Sequence, residues 1–233
     1  MKEQLSRTVN LFGLNAIEAL KNAKVAIFGL GGVGSFAAEA ISRSGIGNLM
    51  LCDADKVDVT NINRQLCALH STVGQFKAEV MAKRALDIDS ELGIEVKNLF
   101  FSEDTLCEFD FSSYDYIVDA IDSVPEKVLL IKTAKEKNVP IISVLGTGNK
   151  TDPCAFSVTD IFKTQNCPLA RSVRQRLRKL GIESLDVVFS SETPHAEFSS
   201  PTPASCSFVP SVAGLIAAGK VINTLIECFE KGN

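Results

Sequence analysis

A polar stretch between positions 53 and 77 combines the side-chain types that a nucleoside triphosphate requires. Six of its side chains form this set, namely two carboxylates, two amides, an arginine and a lysine: Asp53, Asp55, Asn61, Asn63, Arg64 and Lys77. Arg64 and Lys77 can neutralise charge on the β- and γ-phosphates while the α-phosphorus is attacked, which stabilises the transition state electrostatically. The pattern therefore predicts nucleotidyl transfer and is unlike a hydride-transfer site.

A second acidic segment supplies a candidate metal ligand. Residues 119–123 read DAIDS and follow a predicted strand. The carboxyl ends of parallel strands meet at the edge where such sheets bind ligands, so Asp122 and Ser123 are expected beside the polar stretch. Magnesium prefers carboxylate oxygens together with phosphate, and we therefore predict that Asp122 binds Mg²⁺.

A glycine-rich loop precedes both segments. Residues 29–34 read GLGGVG, the G-x-G-x-x-G spacing, between a predicted strand and a predicted helix. Such glycines let backbone N–H groups and the helix N-terminus approach phosphate oxygens, so the predicted nucleotide contacts include Gly29, Gly31, Gly32 and Gly34. Asp53 follows the loop by about 20 residues, where a carboxylate can accept hydrogen bonds from ribose hydroxyls. These features alone would suit NAD equally well.

The elements that must position these residues alternate between strands and helices. Strands are predicted at residues 25–28, 49–52, 94–101, 116–118, 139–142, 156–160 and 185–189, and helices at 36–44 and 77–87. This order predicts an α/β fold, a Rossmann-like, doubly wound, mostly parallel sheet with additional C-terminal strands and helices. We expect one domain over 1–233, comprising an N-terminal helical arm (1–22), a nucleotide-binding core (23–145) and a substrate-side and dimer-side extension (146–233). Residues 190–205, rich in Ser, Pro and Thr, predict a mobile loop.

Composition restricts the class of protein. The net charge of −4 argues against a general nucleic-acid-coating protein, so any RNA contact must be local. The seven cysteines form no Cys-x-x-Cys pair, which argues against structural zinc and for a reducing cytoplasm. The apolar stretch 212–229 is interrupted by charged and amide residues at helical spacing. It predicts a core or interface helix, and we expect no membrane association and no export signal.

The motifs together carry a resemblance. The sequences GLGGVGS, DAD, TNINRQ and DAIDS, with Lys77, resemble the ThiF/MoeB and ubiquitin-activating-enzyme superfamily, which adenylates carboxylates. The segments LSRT, INRQLCALHSTVGQFKAEVMAKR, GTGNKTDP and DIFKTQNCPLARSVRQRLRKLGI resemble its tRNA threonylcarbamoyladenosine dehydratase (TcdA/CsdL) branch. The resemblance extends over nearly the whole chain, and residues 146–182 favour the dehydratase branch.

This resemblance implies an activity and a set of residue roles. It implies ATP-dependent cyclisation of threonylcarbamoyladenosine next to the anticodon of a tRNA, through adenylation of its carboxylate. The residues implied to bind ATP and its magnesium are Gly32, Asp53, Asn61, Asn63, Arg64, Lys77 and Asp122. Arg7 resembles an arginine that reaches the phosphates of the neighbouring subunit, which would make a homodimer the catalytic unit. Zinc is not carried over, because the paired Cys-x-x-Cys ligands are missing.

A basic segment is the candidate tRNA contact. Arg171, Arg174 and Arg178 recur at helical spacing in an otherwise acidic protein, while Val173, Leu177 and Leu180 would bury the opposite face. We predict that the three arginines bind tRNA phosphates. The alternative is a solvated helix whose arginines pair with acidic neighbours or with the dimer mate.

Two further functions stay open at this point. A MoeB/ThiF-type enzyme would adenylate a ubiquitin-like sulfur-carrier protein with the same ATP contacts, and a nucleotide-binding module would lack catalysis. A sulfur-relay protein is a further candidate partner. Cys167 starts a predicted helix, where a thiol can become reactive, yet the cyclisation needs no thiol, so packing is the favoured role. Cys206 carries a weaker signal, and His70 is expected to serve as a local hydrogen-bonding residue.

Overall fold

A computed structural model describes residues 3–195 and 203–232. These residues contain seven strands: β1 (Lys24–Phe28), β2 (Asn48–Cys52), β3 (Gly93–Lys97), β4 (Tyr116–Asp119), β5 (Ile141–Val144), β6 (Phe156–Asp160) and β7 (Asp186–Ser190). They form one sheet in the order β3-β2-β1-β4-β5-β7-β6. Neighbouring strands are parallel except for the edge strand β6, which is antiparallel to β7. The predicted α/β, doubly wound, mostly parallel sheet is confirmed.

Helices cover both faces of this sheet. They are α1 (Ser6–Phe12), α2 (Leu14–Asn22), α3 (Gly34–Ser42), α4 (Lys77–Ile88), α5 (Val124–Glu136), α6 (Pro168–Lys179) and α7 (Phe208–Gly232). Buried side chains of α2, α3, α4 and α7 form one core, and those of α5 and α6 form a second core on the other face. Successive side chains of β1 point to opposite faces of the sheet. Val25 and Ile27 therefore lie in the first core, and Ala26 and Phe28 lie in the second.

An aromatic cluster dominates the second core. Phe28 at the end of β1 packs against Phe101, Phe109 and Phe111, with ring centroids 5.0, 5.2 and 6.2 Å away. This packing explains an error of the sequence prediction, which extended β3 to residue 101. The strand ends at Lys97, and the chain turns so that Phe101 enters the cluster.

Other predicted boundaries shift by a few residues. The strand predicted at 139–142 lies at Ile141–Val144, and the helix predicted at 36–44 begins at Gly34. The N-terminal arm is two helices, because the chain breaks at Gly13, whose φ of 85° few other residues adopt. Of the predicted loop 190–205, residue 190 ends β7 and residues 196–202 lie outside the described residues.

Helix α7 is long and apolar enough to cross a membrane by length and composition alone. Half of its apolar window is buried in the protein, with Val209, Ala213 and Ala217 fully enclosed. It packs so closely on α3 that a Cβ at Gly214 would lie 2.2 Å from the carbonyl oxygen of Val33. The predicted core helix is therefore confirmed.

The sheet contains one reversal of strand order at its centre. Strand β1 lies between β2 and β4, so the connection from β1 and the connection from β4 leave in opposite directions. A crevice opens between such connections at the carboxyl edge of the sheet. The glycine loop after β1 and the DAIDS segment after β4 both lie at this crevice.

Candidate active site

A pocket of about 400 Å³ occupies the crevice. Most of the predicted nucleotide contacts line it: Gly29, Gly31, Gly32, Asp53, Asp55, Asn61, Arg64, Lys77 and Asp122. The topology thus brings together residues from the ends of β1, β2 and β4 and from the start of α4. The volume of the pocket lies in the range of ordinary small-molecule sites.

Asp53 is held in place by two backbone groups. One carboxylate oxygen accepts a hydrogen bond from the Leu30 N–H at 2.6 Å, and the other accepts one from the Asp55 N–H at 2.8 Å. Burial raises the pKa of Asp53, although the nearby Lys77 ammonium opposes the rise. The carboxylate is therefore preorganised between the glycine loop and the β2 loop, and its remaining lone pairs can accept ribose hydroxyls.

Lys77 is a nearly buried cation at the first turn of α4. Its Nζ lies 2.7 Å from a carboxylate oxygen of Asp55, with 6% of the Lys77 side chain exposed against 71% of Asp55. An exposed counterion can swing away into water, whereas the buried ammonium stays in place. Asp55 thus neutralises Lys77 here, and a phosphate oxygen can take over that role.

Arg64 is restrained by its neighbours. Its guanidinium donates to the Thr60 carbonyl at 3.0 Å and to the Asn63 side-chain oxygen at 2.8 Å. The Asn63 amide in turn donates to the Ser205 carbonyl at 3.1 Å. Asn63 does not line the pocket. Both ends of the Asn63 amide are engaged by Arg64 and Ser205, so Asn63 holds Arg64 in place, while a direct contact of Asn63 with the nucleotide stays a prediction.

A buried ion pair supports the β4 loop. The Lys127 Nζ donates to Asp119 at 2.8 Å, and both side chains are fully buried. It also donates to the Ser143 hydroxyl and the Val144 carbonyl, each at 3.1 Å. The second Asp119 oxygen accepts from the Ile121 N–H at 3.1 Å. Sequence reasoning missed this pair, although a lysine on the apolar face of α5 was a detectable signal.

Asp122 lies at the mouth of the pocket and is exposed. Its carboxylate makes no hydrogen bond or ion pair to any described residue, so it is available to a ligand. The described residues contain no cluster of three or more metal-binding side chains. A single free carboxylate fits Mg²⁺ that arrives with phosphate, because this ion is commonly held by one or two carboxylates plus phosphate oxygens and water.

Two predicted contacts have structural roles instead. A Cβ at Gly34 would lie 1.8 Å from the Gly29 carbonyl oxygen, so this glycine is required for the turn to close and does not line the pocket. Ser123 also lies outside the lining, and its hydroxyl donates to the Glu126 carboxylate. Seven further polar or aromatic lining residues were not predicted from the sequence: Phe28, Gln65, Phe100, Phe101, Glu126, Thr147 and Ser205.

A family model described as the ThiF family matches residues 4–233. The chain belongs to the ThiF family. The tRNA threonylcarbamoyladenosine dehydratase of Bacillus subtilis (strain 168) is 42% identical to it, over 99% of this chain and 97% of the relative. The resemblance stated from the motifs is therefore confirmed over both halves of the chain.

Solved structures agree with this relationship. The crystal structure of the Escherichia coli tRNA N6-threonylcarbamoyladenosine dehydratase in complex with ATP has a TM-score of 0.94 and 34% identity, covering 99% of this chain and 97% of that one. Molybdopterin-synthase adenylyltransferase of Escherichia coli (strain K12) is 32% identical over only 57% of this chain and 53% of the relative. The similarity to this adenylyltransferase thus covers about half of each chain.

Arg7 of this ThiF-family chain is exposed on α1. The arm that carries it is anchored at the edge of the sheet opposite to the pocket. The Leu5 side chain packs against Gly45, just before β2, where an added Cβ would lie only 3.0 Å from it. The Gln4 amide donates to the Ile88 carbonyl at the end of α4. Both anchors lie at the amino ends of parallel strands, whereas the pocket lies at the carboxyl ends. Arg7 therefore does not line the pocket of its own chain.

Helix α6 is amphipathic, as predicted, but its apolar face is shorter. Ala170, Val173 and Leu177 are buried, whereas 45% of Leu180 is exposed because the helix ends at Lys179. The prediction for Leu180 was wrong.

The three predicted arginines of α6 have different surroundings. Arg171 and Arg178 are exposed, and the Arg178 guanidinium lies 5.4 Å from the centre of the Phe162 ring. Arg174 is partly buried and donates to the Thr164 carbonyl at 2.9 Å. Arg174 therefore braces the start of α6, and the exposed basic surface is carried by its neighbours on the helix.

Two cysteines and two histidines remain to be placed: Cys167, Cys206, His70 and His195. Cys167 is buried at the start of α6, where its sulfur accepts from the Ala170 N–H at 3.4 Å. His195 contacts Glu192 at 3.2 Å, while His70 is exposed in a turn. Cys206 is half-buried against the first core. The surroundings of Cys167 and Cys206 fit packing, whereas the His70 side chain makes no hydrogen bond to any described residue, so its predicted local hydrogen bonding is not borne out.

Proposed function

We propose that this chain is an ATP-dependent tRNA threonylcarbamoyladenosine dehydratase. It activates the carboxylate of the threonylcarbamoyl group by adenylation and closes that group into a ring with net loss of water. The observation that carries this function is the full-length similarity to the Bacillus subtilis dehydratase, which includes residues 146–182 as well as the nucleotide pocket. The chain thus resembles the dehydratases on the acceptor side too, where a sulfur-carrier enzyme would differ.

The geometry performs the first step through positioning and charge. Asp53 and the glycine loop hold the ribose and phosphates, while Lys77 and Arg64 stabilise the pyrophosphate as it leaves. The substrate carboxylate attacks the α-phosphorus and forms an acyl adenylate. The carbamoyl nitrogen that is bonded to the adenine ring then attacks the acyl carbon and closes a five-membered ring. It gives up its proton and expels AMP, which carries away one carboxylate oxygen. Ring closure within one group benefits from high effective molarity and needs no protein nucleophile.

Magnesium would be held by Asp122 together with the phosphates. Its chemistry would be to neutralise phosphate charge as the α-phosphorus is attacked. The free carboxylate at the pocket mouth supports this role.

A homodimer that shares Arg7 is the proposed assembly. Arg7 does not line its own pocket, and the arm beside it exposes 74% of Leu11 and 63% of Leu14, which a second copy would cover. Mixing Arg7→Ala and Arg64→Ala subunits should restore partial activity, because one site of each mixed dimer keeps both arginines. Failure to complement despite demonstrated subunit exchange would refute the sharing.

The proposed nucleic-acid surface is helix α6 and the proposed compartment is the cytoplasm, where tRNA is modified. The exposed Arg171 and Arg178 support this surface, with Arg174 as a brace.

Product analysis tests the function. The purified protein is incubated with ATP, Mg²⁺ and tRNA that carries threonylcarbamoyladenosine, and the nucleosides are weighed by mass spectrometry. We expect the modified nucleoside to become lighter by one water, with one AMP and one pyrophosphate formed per conversion. Unmodified tRNA is the control. Turnover with a ubiquitin-like carrier protein and none with the tRNA would overturn the proposal in favour of sulfur-carrier activation.

A further inference from the structure

Two distant stretches of chain converge on Asn149. Its N–H donates to the Ala204 carbonyl at 2.8 Å, and its side-chain oxygen accepts from the Ala204 N–H at 2.8 Å. Its carbonyl accepts from the His195 N–H, also at 2.8 Å. One asparagine therefore joins the loop after β5 to the chain at 195 and at 204. We call these three hydrogen bonds the Asn149 clasp.

The backbone geometry at the clasp is demanding. Asn149 has a φ of 58°, a left-handed conformation that asparagine, aspartate and glycine adopt more readily than other residues. The preceding Gly148 leaves no room for a side chain, since a Cβ there would lie 2.6 Å from the Pro203 Cβ. The loop is thus in close contact with Pro203 and Ala204.

The clasp is adjacent to two residues of the pocket wall. Thr147 precedes it by two positions and Ser205 follows Ala204, and both line the pocket. The Thr147 hydroxyl makes no hydrogen bond to any described residue, so it is free for a ligand. The Ser205 carbonyl accepts from Asn63, which also bonds Arg64. The Ser205 end of the wall is thereby held by a second contact that does not involve Asn149.

Strand order indicates which ligand this wall meets. Asp53, the ribose candidate, follows β2, the glycine loop follows β1, and Asp122 follows β4. The next strand in the sheet is β5, and Thr147 follows it. The ribose site, the phosphate site and the wall therefore follow one another across the sheet. The carboxylate that attacks the α-phosphorus must enter from the side that the nucleotide leaves open, which is the side of the wall.

We propose that Asn149 is a positioning residue that holds Thr147 and Ser205 as the wall facing the threonylcarbamoyl group of the tRNA. This inference rests on the proposed function and deepens it. It assigns recognition of the acceptor to a wall tied together by the clasp, separate from the residues that bind ATP.

Steady-state kinetics of three variants test the clasp. Asn149→Gly keeps the left-handed backbone and removes the side-chain acceptor, whereas Asn149→Asp keeps an oxygen for the Ala204 N–H. Asn138→Gly is the matched control, because Asn138 has a φ of 57° in an exposed turn before β5, at the opposite edge of the sheet.

We expect Asn149→Gly to raise KM for the tRNA by about tenfold, the effect of one lost hydrogen bond at the upper end of its usual range. KM for ATP should change by less than about twofold, as expected when ATP contacts are untouched. Asn149→Asp and Asn138→Gly should stay near wild type. Equal rises in both KM values, no rise in either, or an Asn149→Asp variant as impaired as Asn149→Gly would each overturn the proposal.

Amide hydrogen exchange supplies a readout that does not depend on turnover. The Ala204 amide should lose about tenfold protection in Asn149→Gly and keep it in Asn149→Asp, because its acceptor is the side-chain oxygen. Unchanged protection in Asn149→Gly would refute the clasp itself. A wild-type protein that protects this amide but cannot cyclise the tRNA would instead refute the proposed function, and the acceptor assignment with it.

Discussion

The two sides of the pocket are built differently. On the nucleotide side, the contacts join residues close in sequence: Asp53 bonds Leu30 across 23 positions, and Lys77 bonds Asp55 across 22. On the acceptor side, Ser205 bonds Asn63 across 142 positions, and Asn149 bonds Ala204 across 55. The first side consists of short loops at successive strand ends, and the second exists only after the whole chain has folded. Local sequence therefore predicts nucleotide binding more readily than acceptor recognition.

The largest expected effect lies on the nucleotide side. Lys77→Met keeps the buried aliphatic stem and removes the charge that meets the phosphates. We expect tRNA-dependent AMP formation to fall by about 10²–10³-fold, as for loss of one preorganised electrostatic contact. Lys83→Met, on the exposed face of the same helix, is the control and should be near wild type. Equal activity of the two variants would remove Lys77 from the transition state.

The next largest effect is expected at the buried ion pair between Lys127 and Asp119, which supports the loop after β4. Lys127→Met leaves Asp119 buried without its cation, and we expect the free energy of unfolding to fall by about 3–5 kcal/mol in denaturant titrations. Adding Asp119→Asn should recover part of this loss, because the uncompensated charge is removed. A loss below about 1 kcal/mol for the single variant would show that the pair is not isolated from water.

The tRNA surface should respond without any change at the nucleotide side. Replacing Arg171 and Arg178 with alanine should weaken tRNA binding and flatten the slope of log affinity against log salt by about one unit per lost phosphate contact. ATP affinity should be unchanged. The control replaces Lys21 and Lys83, exposed lysines on helices of the opposite face. An unaltered slope in the α6 variant would return this helix to a structural role.

The smallest effect is expected at the buried thiol of the acceptor side. Cys167→Ala removes a sulfur that packs at the start of α6, and we expect a stability loss of about 1–2 kcal/mol. Turnover should stay near wild type, since no step of the cyclisation uses a thiol. A large loss of turnover without a change in Tm would instead give Cys167 a chemical role.

Sequence reasoning succeeded where one motif determines one local geometry. The glycine loop, Asp53 and Lys77 were all predicted, because a strand, a tight turn and a helix start position them. The hydrogen-bond partners of individual side chains were not foreseen. Asn63 bonds Ser205, and Arg174 donates to the Thr164 carbonyl.

Thr147 and Asn149 show the same limit. Their roles depend on the return of the 203–205 segment over the pocket, which no local spacing reveals. The amphipathic helix α6 was predictable from its periodicity, but the hydrogen bond of Arg174 to the Thr164 carbonyl was not.

An isotope experiment tests most directly that a carboxylate is activated in this pocket. The threonylcarbamoyl carboxylate of the tRNA is labelled with heavy oxygen, and the AMP formed during cyclisation is weighed. Attack of the carboxylate on the α-phosphorus predicts that one labelled oxygen appears in AMP for each ring closed, with none in pyrophosphate. Unlabelled AMP formed in step with cyclised tRNA would contradict the acyl adenylate and the account built on it.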